Sequence, residues 1–406
     1  MKLVDIGDLK SLDRFGRVGS IPTPGTMSLR SLIRSIQRRL DPYAPLIEVS
    51  ISKSALLHNL RAYQARYPRL RFAPVLKSNA YGHGLTTVAR ILDEENIPFF
   101  MVDSLYEARQ LRHAGIRTRI LVMGYVRPRD MARARLKDID FAVVAFEQIE
   151  ELAHTRASLR LHLKLDTGMH RQGISNEDLP DALTLLAKNP TLSVIGVCSH
   201  FGDADGEVEA RTKEQVSLYR EMARQVLDAF PLIEFTHLAA TKGVRFAEDA
   251  STNVVRLGIG LYGIDTSPYN DISLKPALSL TSSISSLRTL YPGDWIGYNA
   301  TYTADSERTV ASVPVGYFEG VDRGLSNTGF MQVNGRACPI VGRVSMNMSS
   351  IDVTEVPDAR AGDAVTVISS APEDLNSVVH MAEQAKTTPY VILAHLPAHL
   401  RRNVDR

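Results

Sequence analysis

The sequence predicts an α/β protein: an N-terminal (β/α)8 TIM barrel followed by a mainly β C-terminal domain. Three observations carry that prediction. Short apolar runs alternate with helical segments across residues 46–275, the pattern of parallel strands joined by crossover helices. Several of these runs end in a charged residue or a glycine-containing turn, as barrel strands do at the rim that carries chemistry. Near Ser273-Leu-Lys-Pro276 long helical segments give out, and alternating pieces separated by turn signals follow.

In chain order, Leu46-Ile-Glu-Val-Ser50 reads as a strand leading into the barrel, and Ser52 as the cap of the next helix. Barrel strands are expected at Phe72–Leu76, Pro98–Val102, Arg119–Met123, Phe141–Ala145, Leu159–Leu165, Leu192–Cys198, Glu234–His237 and Thr252–Arg256. Helices over Leu85–Glu94, Leu105–Ala114 and Ile149–Thr155 fill intervals between them. Residues 276–406 form the second domain, with strands at Leu278–Ser285, Arg308–Val313, Met331–Val333 and Ala364–Ile368, and turns at Pro292-Gly293 and Asn334-Gly335. Residues 1–45 are an extension. In it Leu29, Leu32, Ile33, Ile36 and Leu40 make one apolar face of a basic amphipathic helix, expected to dock on this protein or a partner subunit. An open doubly wound sheet is the alternative architecture. Its glycine fingerprint is missing after any early strand, and Gly258-Ile-Gly260 is late and incomplete.

Composition narrows the function classes. The 406 residues are 44% hydrophobic and 23% charged, with a formal net charge of +2. That balance gives little steering toward nucleic acid or an anionic membrane. No apolar run reaches the roughly 18 residues of a spanning helix, so stable membrane insertion is not expected. Two cysteines, Cys198 and Cys338, sit in or beside apolar runs and fit a reduced, cytoplasmic setting. No metal-binding motif occurs.

The strand ends supply the candidate chemistry. The first gives Lys77 and Tyr81, the fifth Asp166-Thr-Gly168 and Arg171, the sixth His200, the seventh His237 and Thr241, and the eighth Arg256, Gly258 and Ile259. All are expected at one rim. The arginines suit an anionic phosphorylated cofactor and a carboxylate substrate. A lysine at a barrel mouth is the residue type that binds the aldehyde of pyridoxal 5'-phosphate covalently; the plainer alternative is a lysine that only snorkels to solvent. Backbone N–H groups of Gly258 and Ile259, with the hydroxyls of Thr241 and Tyr81, are expected to hold the phosphate. Tyr298, in Gly297-Tyr298-Asn-Ala-Thr-Tyr302, is the candidate second base.

Val75-Leu-Lys77-Ser-Asn-Ala-Tyr81-Gly-His-Gly84, His162-Leu-Lys-Leu-Asp-Thr-Gly-Met-His-Arg171, Ser199-His200-Phe201 and Val255-Arg256-Leu-Gly258-Ile-Gly-Leu-Tyr-Gly263 resemble the alanine racemase family. So do the Tyr298 segment, Pro314-Val-Gly-Tyr317 and Gly342-Arg-Val-Ser-Met346-Asn347. The resemblance runs from about Leu46 almost to the C-terminus. It implies a head-to-tail homodimer with shared active sites, a small amino acid substrate and a role in making D-alanine for peptidoglycan. By resemblance Lys77 is the base for the D-enantiomer, and Tyr298 of the other subunit is the base for the L-enantiomer. Arg256 faces the pyridine nitrogen, and His200 bridges Tyr298 and Arg256. Arg171 holds the substrate carboxylate, aided by the backbone of Met346. Lys164 matches a lysine that is carbamylated in some relatives, and its alternation with Leu163 and Leu165 sets it inside the barrel. Tyr317 and Arg323 resemble gate residues.

Departures from the family pattern bear on substrate choice. Asn347 stands where aspartate is usual, and Ala240-Thr241 replaces an asparagine-serine pair. No tyrosine follows Tyr390, and Val404 falls where a gate tyrosine is expected. A more open gate would admit serine or a larger amino acid such as lysine or arginine. A PLP-dependent decarboxylase of the same architecture is the alternative of a different class.

Overall fold

The computed structural model describes residues 45–405 apart from residues 207, 265, 266, 268 and 270. The amphipathic helix expected near residues 29–40 lies outside the described residues. Strand β1 (Glu48–Ser52) leads into helix α1 (Lys53–Arg66), whose cap is Ser52: its hydroxyl accepts the Ala55 N–H at 3.2 Å.

Eight parallel strands then close on themselves. They are β2 (Arg71–Pro74), β3 (Phe100–Val102), β4 (Ile120–Val122), β5 (Ile139–Val143), β6 (Leu159–Lys164), β7 (Leu192–Cys198), β8 (Phe235–His237) and β9 (Val254–Leu257). Strands β3 to β8 form one sheet and β2 pairs with β9. Single bridges Val75–Met101 and Ala240–Arg256 complete the ring. Strands β3, β4 and β5 are buried along their whole length, as expected of parallel strands covered on both faces. The interior is a packed core rather than a channel. Ala73, Phe99, Leu121, Ala142, Val144, Phe235 and Val254 fill it as a cluster separate from the larger core.

The second domain is mainly β. Its six-stranded sheet runs in the order 336–339, 330–333, 364–368, 278–283, β1 and 402–405. Strand β1 therefore precedes the barrel in sequence but hydrogen-bonds into this sheet, antiparallel to residues 278–281 and parallel to residues 402–405. A three-stranded sheet (286–290, 308–313, 349–352) and a small hairpin (295–296, 302–303) complete the domain. Strands 330–333 and 336–339 join through Asn334-Gly335, both at positive φ, the conformation a two-residue hairpin needs.

Candidate active site

Lys77 emerges just beyond β2, and the chain after it turns in an unusual way. Ser78, Asn79, Ala80 and Tyr81 all have φ between 50° and 57°. This is a left-handed helical turn of four non-glycine residues, each costing roughly 1–2 kcal/mol. Its hydrogen bonds offset that cost. The Glu107 carboxylate accepts from Ser78 N at 2.7 Å while also accepting from Asp103 N and Ser104 N at the start of helix Leu105–His113. Asn79 Oδ1 accepts from Leu85 N, and Arg402 Nε donates to Gly82 O at 2.9 Å. At Gly82 a Cβ would lie 2.1 Å from Leu393 O, so the second domain packs directly on the turn. Replacing Glu107 by alanine strands the Ser78 N–H beside Lys77. We expect unfolding free energy to fall by about 2 kcal/mol in a denaturant titration, with weaker retention of any ligand held by Lys77.

A cavity of roughly 810 Å³ opens at the C-terminal rim of the barrel. Lys77, Tyr81, Lys164, Arg171, His200, Thr241, Arg256, Gly258 and Ile259 all line it. Its charged lining comprises Lys77, Lys164, Arg171, Lys242 and Arg256 against Asp103 and Asp205, and Lys242 and Asp205 pair with each other. The surplus of cations suits a ligand that brings phosphate and carboxylate.

Arg256 is the most constrained of these groups. It is buried, and no carboxylate pairs with it among the described residues. Its Nη1 donates to His237 Nδ1 (2.9 Å) and His237 O (3.0 Å). Its Nη2 donates to His200 Nδ1 (2.8 Å), Leu238 O (2.8 Å) and Ser199 O (2.9 Å). Both Nη groups are thus spent, and Nε–H is the donor left for the cavity. Because a guanidinium only donates, His200 Nδ1 must be an acceptor, and its Nε2 carries the ring proton. His200 is held neutral: burial first, then Arg256, Arg171, Lys164 and Lys77, depress its pKa to about 3.

On the far wall, the Thr241 hydroxyl oxygen accepts from Gly258 N (3.2 Å) and Gly260 N (3.3 Å). Its own proton is thereby directed elsewhere. The Gly258 N–H donates to this hydroxyl, and both groups line the cavity. Ile259 opens the short 3-10 helix Ile259–Tyr262, so its N–H has no intrahelical acceptor. Tyr81 adds a hydroxyl, and a Cβ on Gly258 would come within 3.1 Å of it. Burial raises the Tyr81 pKa, so it stays a donor.

Lys164 is 6% exposed and donates to Gln172 Oε1 at 3.2 Å. It makes no ion pair with a carboxylate among the described residues. Its pKa is lowered, chiefly by burial and then by Arg256 and Arg171, with Cys198 acting the other way.

The other four predicted residues lie elsewhere. Tyr298, Tyr317, Arg323 and Met346 line a separate hollow of roughly 580 Å³ in the second domain. Tyr298 is 69% exposed and Met346 56%. His237, read from sequence as a rim residue, is fully buried inside the barrel beneath Arg256. Val404 is in the edge strand 402–405 and does not line the cavity. From the C-terminal segment it is Tyr390, on helix Pro389–Ala394, that joins Tyr81 and Tyr125 in lining the cavity, with its ring 5.9 Å from that of Tyr81. No local sequence signal marks Tyr390, because a long-range chain return brings it there. Asn347 Nδ2 donates to Glu319 Oε1 at 2.6 Å. An aspartate there would face a carboxylate, so the departure at Asn347 matches its neighbour.

A closed barrel with Lys77 at the end of its first strand, a buried guanidinium without a carboxylate partner among the described residues, and a group of hydroxyl and N–H donors beside them defines a barrel enzyme for phosphorylated cofactors. Comparison with known proteins is specific. Residues 51–266 match the family "Alanine racemase, N-terminal domain" and residues 277–404 match "Alanine racemase, C-terminal domain". An alanine racemase of Sorangium cellulosum is 36% identical over 369 residues, covering 88% of this chain and 97% of the relative. One from Syntrophobacter fumaroxidans is 36% identical, covering 85% and 93%. The crystal structure of the Bacillus anthracis alanine racemase with bound L-Ala-P superposes with a TM-score of 0.82 at 31% identity, covering 90% of this chain and 96% of that one. The chain belongs to the alanine racemase family.

Proposed function

We propose that this protein is a pyridoxal-phosphate-dependent racemase that interconverts L- and D-alanine. In this reading it works as a head-to-tail homodimer with shared sites. The observation that carries this is the division of the predicted residues between two hollows of one chain. The barrel cavity holds Lys77 and most of the anion-binding groups; the hollow of the second domain holds the exposed Tyr298 with Tyr317, Arg323 and Met346 but no lysine. A second copy laid head to tail brings Tyr298 over the barrel cavity.

The donor set fits the cofactor. Tyr81, Thr241 and the Ile259 N–H suit its phosphate, Arg256 Nε–H its ring nitrogen, and Lys77 its aldehyde. When bound, pyridoxal phosphate supplies an electron-accepting ring that acidifies the α C–H of an attached amino acid. The remaining chemistry belongs to the chain. Lys77 takes or returns the α-proton on one face, and Tyr298 of the partner subunit does so on the other. Arg256 offers only donors, so it leaves the ring nitrogen unprotonated and limits transamination. His200 lines the cavity with its Nε2–H unused by Arg256, and that N–H would hold the oxygen of Tyr298 supplied by the second copy. Arg171 takes the substrate carboxylate, helped by the Met346 backbone, and Tyr317 and Arg323 guard the entrance. Lys164 lacks an acidic partner, and its carbamylation would turn an uncompensated cation into an anion for Arg171.

The decarboxylase alternative usually places a cysteine at the site. Cys198 and Cys338 are both buried and line neither hollow. The expectation of a wider gate rested on Val404, which lies away from the cavity, and Tyr390 occupies its wall instead. Alanine is therefore the preferred substrate, and the product suits peptidoglycan synthesis in the cytoplasm. Among the described residues, no helix is long and apolar enough to cross a membrane. Polarimetry on L- and D-alanine, serine, lysine and arginine tests the reading. Alanine should approach an equal mixture fastest from either side; inert alanine, or faster racemisation of lysine, would overturn it.

A further inference from the structure

Below the cavity floor a line of buried polar groups continues from Arg256 into the barrel. His237 Nε2 lies 2.9 Å from His162 Nδ1, and His162 Nε2 faces Asp140 Oδ2 at 3.7 Å. His162, His237 and Asp140 are fully buried. At 3.7 Å His162 Nε2 and Asp140 Oδ2 face each other without a formed hydrogen bond; neither has another hydrogen-bond partner, and Arg119 Nε lies 3.7 Å from the same Asp140 oxygen. The barrel is shaped around this line. A Cβ on Gly196 would come within 2.3 Å of His162 Nδ1, and the pairing of β6 with β7 slips its register at Leu161/His162. Phe235 stacks on the His162 ring and Phe99 meets it edge-on.

The proton positions in this line follow from one fact, that a guanidinium cannot accept. Arg256 donates to His237 Nδ1, so the His237 proton is on Nε2. That N–H donates to His162 Nδ1, so the His162 proton is on Nε2 and points at Asp140. Neither ring can gain a second proton without setting donor against donor. Arg112, Arg119, Arg160, Asp138 and Glu234 are the other charged groups around the Asp140 end, and Arg160 Nε holds the second Asp140 oxygen at 2.6 Å. The line thus has one direction, from Arg256 down to a carboxylate on β5.

We propose that Asp140 and His162 are positioning residues that fix the His237 tautomer and thereby aim the Arg256 guanidinium at the cavity. Without an acceptor at Asp140, His162 is free to place its proton on Nδ1. That N–H would oppose the His237 N–H, and His237 would in turn present an N–H to Arg256. The proposal rests on the reading that Arg256 faces the cofactor ring, but the tautomers can be read independently of activity.

The experiment is nitrogen-15 NMR of the holoenzyme labelled at histidine, with kinetics on Asp140→Asn and Asp140→Leu. In the wild type, His162 and His237 should both be neutral and Nε2-protonated and should not titrate between about pH 5 and pH 9. Asp140→Asn keeps an acceptor oxygen and should retain both tautomers and kcat within about twofold, while Asp140→Leu should shift the His237 tautomer and lower kcat about tenfold with KM little changed. An Nδ1-protonated or titrating His162 or His237 in the wild type would overturn the proposal even if no variant folds. So would Asp140→Leu with both tautomers and kcat unchanged. A shifted tautomer with unchanged kcat would instead remove the catalytic reading of Arg256 and leave the buried line intact.

Discussion

Lys77→Ala abolishes covalent capture of the cofactor and lowers alanine racemisation by about 10⁴-fold or more, because one residue supplies both the attachment and one proton-transfer group. The visible absorption band of lysine-bound cofactor should vanish from the purified protein. The fold should survive, since the Lys77 side chain makes no hydrogen bond or ion pair to the protein among the described residues. The left-handed turn that follows is held through the Ser78 backbone and the Asn79 side chain instead. Retention of both the band and the activity would show that the lysine at this rim is a bystander.

Tyr298→Phe is expected to be nearly as damaging to racemisation, equally from either enantiomer because the two have equal free energy, while the loss of α-hydrogen exchange should be one-sided. The substitution removes a hydroxyl from a side chain that is 69% exposed in the single chain, so little packing is lost. Exchange of the α-hydrogen of L-alanine with solvent deuterium should fall by about 10²- to 10³-fold, while exchange from D-alanine, which relies on Lys77, should fall far less. Equal loss of exchange from both enantiomers would mean that Tyr298 positions the substrate rather than moving its proton.

Much of this architecture was legible from the residues. Strand β7 falls where its apolar run places it, because parallel barrel strands are continuous buried stretches. The inward face of β6 could also be read: Arg160, His162 and Lys164 alternate with leucines, and strand side chains repeat every second residue. The same rule pairs His237 with Phe235, an interior residue, and so marks His237 as internal rather than at the rim. Other features had no local signal. The left-handed turn after Lys77 contains no glycine before Gly82, and its conformation is imposed by Glu107, Asn79 and the packed second domain. The pairing of β1 with strand 402–405 joins opposite ends of the described chain. Tyr390 likewise reaches the cavity only because the C-terminal segment folds back, anchored by Arg402 bonds to Gly82 O and to the carbonyls of Leu396, Pro397, Ala398 and Leu400.

The central claim is that one working site needs Lys77 from one chain and Tyr298 from another. Mixing the inactive Lys77→Ala and Tyr298→Phe proteins, with subunit exchange, tests it directly. A hybrid dimer then contains one site with both residues intact and one with neither. At statistical exchange about a quarter of the wild-type alanine racemase activity should return. If both residues served the same chain's site, every site in every hybrid would lack one of them, and the mixture would stay as inactive as its components.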